Sequence, residues 1–216
     1  YDGFITGILM EFPELKHMQT FDHQIESVKW FNREPYPLDL IFAKNSNGKD
    51  WQGLAEFIQN HLSENDIREA FKNLPKEVQD KVSEDLIQKL LTRKNDLQKY
   101  ASAYFKFLQE KVVLTGTDKK DKFVVTRLPN NETEVKIIRL KKAGEELQSS
   151  KLYSGLMTKE IILYGLDDDD EFIVEGKPHS SIKIKLLGGL DNDKYSVFNS
   201  RKVTIYDYKS KPNNFE

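Results

Sequence analysis

The spacing of apolar positions changes once along the chain. Between residues 50 and 108 they recur at helical intervals. Trp51, Leu54, Ala55, Ile58 and Leu62 form one stripe, and Ile67, Ala70, Phe71 and Leu74 a second. Val78, Val82, Leu86, Leu90, Leu97, Ala101, Tyr104 and Leu108 form a third. Asp50 is a candidate N-cap for the first helix, Ser63 with Asp66 a capping-box analogue for the second, and Pro75 fits the first turn of the third. The third stripe is one long amphipathic helix of roughly 50 Å. That length predicts either a kink near residues 92–95, where Arg93 and Lys94 interrupt the stripe, or a spacer. After Lys111 the period drops to two. Residues 112–114, 123–125, 135–140, 152–153 and 203–208 read as strands, separated by polar turns at 116–119 and 129–132. Before residue 48 the pattern is weaker. Pro13 turns Phe12 away from helix, Ile25, Val28 and Trp30 suit a short helix or a strand, and the run 38–42 reads as a strand. The expected fold is α+β, with a mainly helical region over 1–110 and a β region over 111–216 that resembles a short parallel β-roll or small sheet.

Two acidic turns inside the β region share one frame. Gly165-Leu166-Asp167-Asp168-Asp169-Asp170-Glu171-Phe172 and Gly188-Gly189-Leu190-Asp191-Asn192-Asp193-Lys194-Tyr195 each follow one apolar β run and lead into another. The β-roll nonapeptide G-G-x-G-x-D-x-U-x overlays both, with its aspartate at Asp170 and Asp193 and its apolar position at Phe172 and Tyr195. A repeat of 23 residues suits strand, turn, strand, turn as one coil of a right-handed parallel winding, which stacks the two turns. Neighbouring aspartates repel by about 1–4 kcal/mol per pair between water-like and protein-surface dielectrics, and a hard cation would relieve that. Asp168, Asp170, Asp191 and Asp193 are therefore the candidate metal ligands, with calcium the candidate ion. The pattern departs from the motif where Leu166 replaces its second glycine, and where Asp168 and Asp191 replace the glycine at its fourth position. Aspartate tolerates left-handed backbone and leucine does not. A solvated acidic turn is the alternative reading.

Composition narrows the remainder. A net charge of −2 over 216 residues gives no electrostatic case for nucleic acid. The absence of cysteine excludes disulfides, thiolate catalysis and cysteine-ligated zinc. No stretch reaches the roughly 20 apolar residues of a membrane span. The start at Tyr1 and the end in Lys211-Pro212-Asn213-Asn214-Phe215-Glu216 suggest a segment of a longer polypeptide. None of His17, His23, His61 and His179 has metal-site spacing. His61, beside an apolar stripe, reads as packed structure, and His179 as a solvent-facing turn residue. The glycines open no phosphate loop, and no serine has a nucleophile-elbow context. Trp30, Trp51, Tyr100, Tyr104, Phe105 and Phe107 read as core or as a docking face. No catalytic residue or organic cofactor is assigned.

Several stretches taken together carry a resemblance. They are Gln19-Thr20-Phe21-Asp22-His23-Gln24, Asp50-Trp51-Gln52-Gly53-Leu54, Arg93-Lys94-Asn95-Asp96-Leu97 with Tyr104, Val113-Leu114-Thr115-Gly116-Thr117-Asp118, Glu160-Ile161-Ile162-Leu163-Tyr164-Gly165-Leu166 and Leu187-Gly188-Gly189. They resemble the region between two modules of large calcineurin-like metallophosphoesterases of Gram-negative bacteria, in which a phosphoesterase precedes and an outer-membrane surface-antigen β-barrel follows. The resemblance implies an exported, periplasmic or outer-membrane-associated protein. Its partners would be flanking domains of the same polypeptide, and this segment a non-catalytic connecting scaffold. No phosphoesterase metal motif is present to carry over. Two other functions remain open: a divalent-metal phosphohydrolase using residues 167–170 and 191–193, or an adhesion or ligand-binding β domain.

Overall fold

The computed structural model describes residues 18–43, 46–79, 81–176, 180–208 and 214–215. Pro13, His17 and His179 lie outside them. The fold is α+β, with six α-helices among the described residues of the N-terminal half and the sheets in the C-terminal half. The chain divides into two compact units, Tyr1–Leu108 and Gln109–Glu216.

In the first unit, α1 (Val28–Phe31) is capped by the Ser27 hydroxyl. The run expected as a strand at 38–42 is instead helix α2 (Tyr36–Phe42). A short apolar run does not show its own period, and here Pro35 and Pro37 set helical φ at the first turn while leaving no orphaned N–H. Helix α3 (Gly48–His61) is capped by Asn47, whose Oδ1 accepts from Lys49 N at 2.8 Å. Asp50 is therefore not the cap. It stands three residues further on and closes the box by accepting from Asn47 N at 2.8 Å. Ser63 and Asp66 form a complete box at the start of α4 (Glu64–Lys72). Pro75 precedes a single 3₁₀ turn (Lys76–Val78) rather than a long helix.

The long stripe is two helices, α5 (Lys81–Asn95) and α6 (Leu97–Gln109), interrupted at Asp96. Gln59 of α3 supplies the cause. Its Nε2 donates to both the Lys94 and Asn95 carbonyls at 2.8 Å, and its Oε1 accepts from Gln98. Carbonyls drawn to a side chain are taken from the helical ladder, and the two helices part at Asp96. Tyr104 anchors this unit. It is buried, meets Trp51 edge-on at 5.6 Å and donates to Asp39 Oδ2 at 2.6 Å. Of the α3 stripe only Ala55 is buried, while Leu54 and Ile58 lie exposed along its flanks.

The second unit winds between two sheets. β1 (Lys111–Thr115), β5 (Glu160–Leu166), β7 (Lys183–Gly189) and β9 (Val203–Tyr206) form one, all parallel, in the order β1-β5-β7-β9. The other has the order β10-β8-β6-β2-β3-β4. Within it β2 (Asp121–Leu128), β6 (Glu171–Gly176), β8 (Lys194–Val197) and the two-residue β10 (Asn214–Phe215) are parallel. β3 (Glu132–Lys141) and β4 (Gly144–Ser154) add an antiparallel hairpin. Asn130 and Asn131, both at positive φ, supply the left-handed backbone that the β2–β3 turn needs. Each coil thus crosses from the first sheet to the second: β1 to β2, β5 to β6, β7 to β8. This is the stacked winding expected from the two-turn repeat, with the β3–β4 hairpin inserted after the first coil.

Parallel pairing in register puts like residues over like. Val112, Ile161, Ile184 and Val203 make one inward row, and Leu114, Leu163, Leu186 and Ile205 the next. On the facing sheet Val125 pairs with Val174, and Val174 with Val197. Phe123, Phe172 and Tyr195 stack with ring centroids 4.8 and 5.2 Å apart and planes within 9° of parallel. Phe172 sits between the other two rings and is 1 % exposed. Phe172→Ala should therefore cost about 3–5 kcal/mol in a denaturant melt. Phe42→Ser, at a side chain 81 % exposed, should stay within about 0.5 kcal/mol.

Candidate functional site

The acidic corner between the sheets is built from three turns, of which the sequence reading found two. Gly116-Thr117-Asp118-Lys119-Lys120-Asp121-Lys122-Phe123 has the frame of the other copies, with glycine, then aspartate five residues on, then an aromatic two further. Because the hairpin separates it from the second turn, its offset is 49 residues rather than 23. The glycine–aspartate–aromatic spacing was the available signal. Acidic runs mark the other two turns, and the lysines at 119 and 120 mask this one.

The three aspartates form a file. Asp121 N donates to Asp170 Oδ1 at 2.8 Å, and Asp170 N donates to Asp193 Oδ1 at 2.9 Å. All three carboxylates are buried, at 0 %, 1 % and 0 % exposure. At the first rung Asp121 is richly supplied. Its Oδ2 accepts from Thr117 N at 2.7 Å and Thr117 Oγ1 at 2.9 Å, and its Oδ1 from Arg139 Nε at 2.7 Å. Beyond the last rung, Tyr195 Oη donates to Asp207 Oδ2 at 2.7 Å. Burial pushes Asp170 up to about 8, against the opposing pull of the Asp121 N–H, and Asp193 and Asp121 nearby add to the rise. Burial likewise pushes Asp193 up to about 6, with Asp207, Asp169 and Asp191 adding.

Each buried carboxylate lies over the glycine that opens its own turn. A Cβ on Gly165 would stand 2.2 Å from Asp170 Oδ2 and 2.5 Å from the Gly188 carbonyl. One on Gly188 would stand 2.1 Å from Asp193 Oδ2. The glycines are thus demanded by close approach of a carboxylate, which the nonapeptide frame does not encode.

The four predicted ligands separate into two pairs. Asp170 and Asp193 point into the wall, each with one oxygen on a backbone N–H and the other against glycine. Asp168 and Asp191 sit at the turn tips with φ of 71° and 75°, where they stand in for glycine as left-handed residues. Asp169 Oδ1 accepts from Asn192 N at 3.0 Å, so the tips are stacked too. Leu166 adopts φ 94°, strained for leucine. It is held there by Leu190 N donating to its carbonyl at 3.1 Å. Among the described residues no three His, Asp or Glu side chains gather closely enough to hold a metal ion. Calcium takes six to eight oxygens. Asp170 and Asp193 each already accept a backbone N–H on one oxygen, while Asp168 and Asp191 lie at the turn tips.

Elsewhere, His61 lies exposed in the last turn of α3, stacked on Phe57 at 4.0 Å, and His23 Nδ1 is 3.3 Å from Thr92 Oγ1. Neither joins a catalytic grouping. Arg127 is a buried cation missed by the sequence reading. Its guanidinium donates to the carbonyls of Ser180 and Arg201, and burial lowers its pKa. No family model, curated protein or solved structure matches the chain.

Two glycine substitutions separate these roles. Gly165→Ala places a methyl group against Asp170 and the Gly188 carbonyl, and should cost about 1–3 kcal/mol or more. Gly53→Ala, inside α3 with nothing within 4 Å, should gain about 0.5–1 kcal/mol. Chemical denaturation of both variants checks the pair.

Proposed function

We propose that this chain is a non-catalytic scaffold whose β unit serves as a rigid connecting block. The observation that carries the proposal is the use made of the acidic residues. Asp121, Asp170 and Asp193 are buried in the wall as acceptors for backbone and side-chain donors, an arrangement that pins coil to coil and leaves those carboxylates turned away from any substrate. In keeping with the sequence resemblance, the block would hold apart flanking domains of an exported, outer-membrane-associated metallophosphoesterase-like protein. No helix among the described residues is long and apolar enough to cross a membrane.

Ligand binding on the β unit is the second reading. It is favoured by Phe198, Tyr206 and Tyr208, aromatic side chains left more than half exposed near the last coil. Retention of a glycan or protein ligand by the chain, lost on Tyr206→Ser, would support it over a purely connecting role.

Calcium enters as a testable addition to the scaffold. An ion bound to the folded form alone at 100 times its Kd adds about 2.7 kcal/mol. Because each buried carboxylate already accepts a backbone N–H on one oxygen, the melting curve should be the same in millimolar calcium and in chelator. A rise in melting temperature with calcium that is lost in Asp168→Asn or Asp191→Asn would establish a calcium-stabilised scaffold. Turnover of a phosphodiester by the chain with added divalent metal, abolished by Asp168→Asn with the circular dichroism intact, would replace the scaffold reading with a hydrolase.

A further inference from the structure

The larger sheet ends on β4, which pairs with β3 alone among the described residues. At 11 residues β4 is the longest edge of the β unit. The parallel sheet ends on β1 and β9, of five and four residues, and the far side of the larger sheet on the two-residue β10. A long edge offers a row of N–H and C=O groups to another strand. Charges and bulges are the usual devices that blunt such an edge, and β4 has both. It carries Glu145, Glu146 and Lys151, and its pairing with β3 skips Gln148 in passing from Ser149 opposite Ile137 to Leu147 opposite Ile138. On β4 these devices are arranged so that the strand matches itself when turned end for end.

The register with β3 sorts the side chains by face. Lys151, Ser149 and Glu146 stand opposite Val135, Ile137 and Arg139, on the face of the sheet that carries the buried Tyr153. Leu152, Ser150 and Leu147 stand opposite Glu134, Lys136 and Ile138, on the outer face. Residues alternate along a strand, so Gln148, next to outer Leu147, shares the inner face with Ser149. The extra residue thus reverses the alternation halfway along β4. Against a reversed copy of the strand, the register that sets Glu146 opposite Lys151 also sets Gln148 opposite Ser149 and Leu147 opposite Ser150. Every one of these pairs is like-faced. A shift of two residues either way sets an inner residue against an outer one beside the bulge.

We propose that β4 pairs antiparallel with β4 of a second copy of this chain, about a two-fold axis between Gln148 and Ser149, joining two sheets edge to edge. A two-fold interface makes each contact twice. Glu146 of each copy meets Lys151 of the other, acid to base at both ends. Glu146 is already paired with Lys141 across the hairpin, and a carboxylate with two oxygens takes a second cation as well. On the outer face Leu147 of one copy lies diagonal to Leu152 of the other, within reach for side chains of that length. Both leucines are more than half exposed in the single chain. The pairing covers all four of them together, and main-chain hydrogen bonds along the edge supply the rest of the attachment.

Sedimentation velocity on the full chain tests this. The wild type should associate to twice the mass of the chain at concentrations up to about 100 μM. Glu146→Lys and Lys151→Glu, each with unchanged circular dichroism, should each raise the dimer Kd about tenfold or more, because like charges then meet at both ends. Mixed in equal amounts, the two variants should recover the wild-type Kd, since every contact between positions 146 and 151 again joins opposite charges. Leu152→Asn leaves every charge in place and should weaken the dimer as well. A wild type that stays monomeric over this range overturns the proposal. So does a dimer indifferent to these substitutions, or a mixture that associates no better than its components. None of these results bears on the connecting role, which fails instead on turnover.

Discussion

A backbone N–H reaching from one coil to the buried carboxylate of the next is the contact on which the β unit turns. Asp121 N to Asp170, and Asp170 N to Asp193, fix how far each coil advances. In parallel pairing the register must hold for every row at once, because a slip of one residue turns the inward side chains outward. With the corner pinned, the aromatic rings fall centroid over centroid, and the aliphatic rows pair like with like. The glycines at 116, 165 and 188 follow from the same contact, since a carboxylate folded back over its own turn leaves no volume for a side chain.

Burial of acids has an electrostatic consequence that the corner handles unevenly. The first rung is neutralised by Arg139 and by both donors of Thr117. The second has neither, and its burial, with Asp193 and Asp121 beside it, raises its proton affinity. Carboxylates packed within a few ångströms are relieved by donors, by cations or by protons, and the structure uses the first of these at Asp121. The exposed tips solve a different problem. Asp168 and Asp191 supply the positive φ that each turn needs.

Much of this architecture was legible along the chain. Helical and two-fold periods locate the change of structure near residue 110, and the glycine–aspartate–aromatic frame places two turns on successive coils. What was missed has physical causes. Residues 38–42 are apolar but for Asp39 and too short a run to show a helical period, and their helix begins where Pro35 and Pro37 fix the first turn. The interruption at Asp96 is imposed from outside by Gln59, in a different helix and 35 and 36 residues from the carbonyls it binds. Composition hid the first turn, where Lys119 stands at the position of Asp168 and Asp191 and Lys120 at that of Asp169. Sequence spacing also grouped Asp168 with Asp170 and Asp191 with Asp193, because it carries no information on which of two near neighbours points inward. Only the direction of the side chains divides an apparent calcium set into wall acceptors and turn tips.

Native-state hydrogen exchange at the Asp170 amide is the most direct test of the coil-to-coil contact. That N–H lies at the end of a turn whose other residues are exposed. The account predicts protection equal to that of Phe172 in the adjoining strand, released only when the β unit unfolds as a whole. Exchange as fast as that of the Asp168 amide would mean that the N–H is not held by Asp193, and the pinned corner would be contradicted.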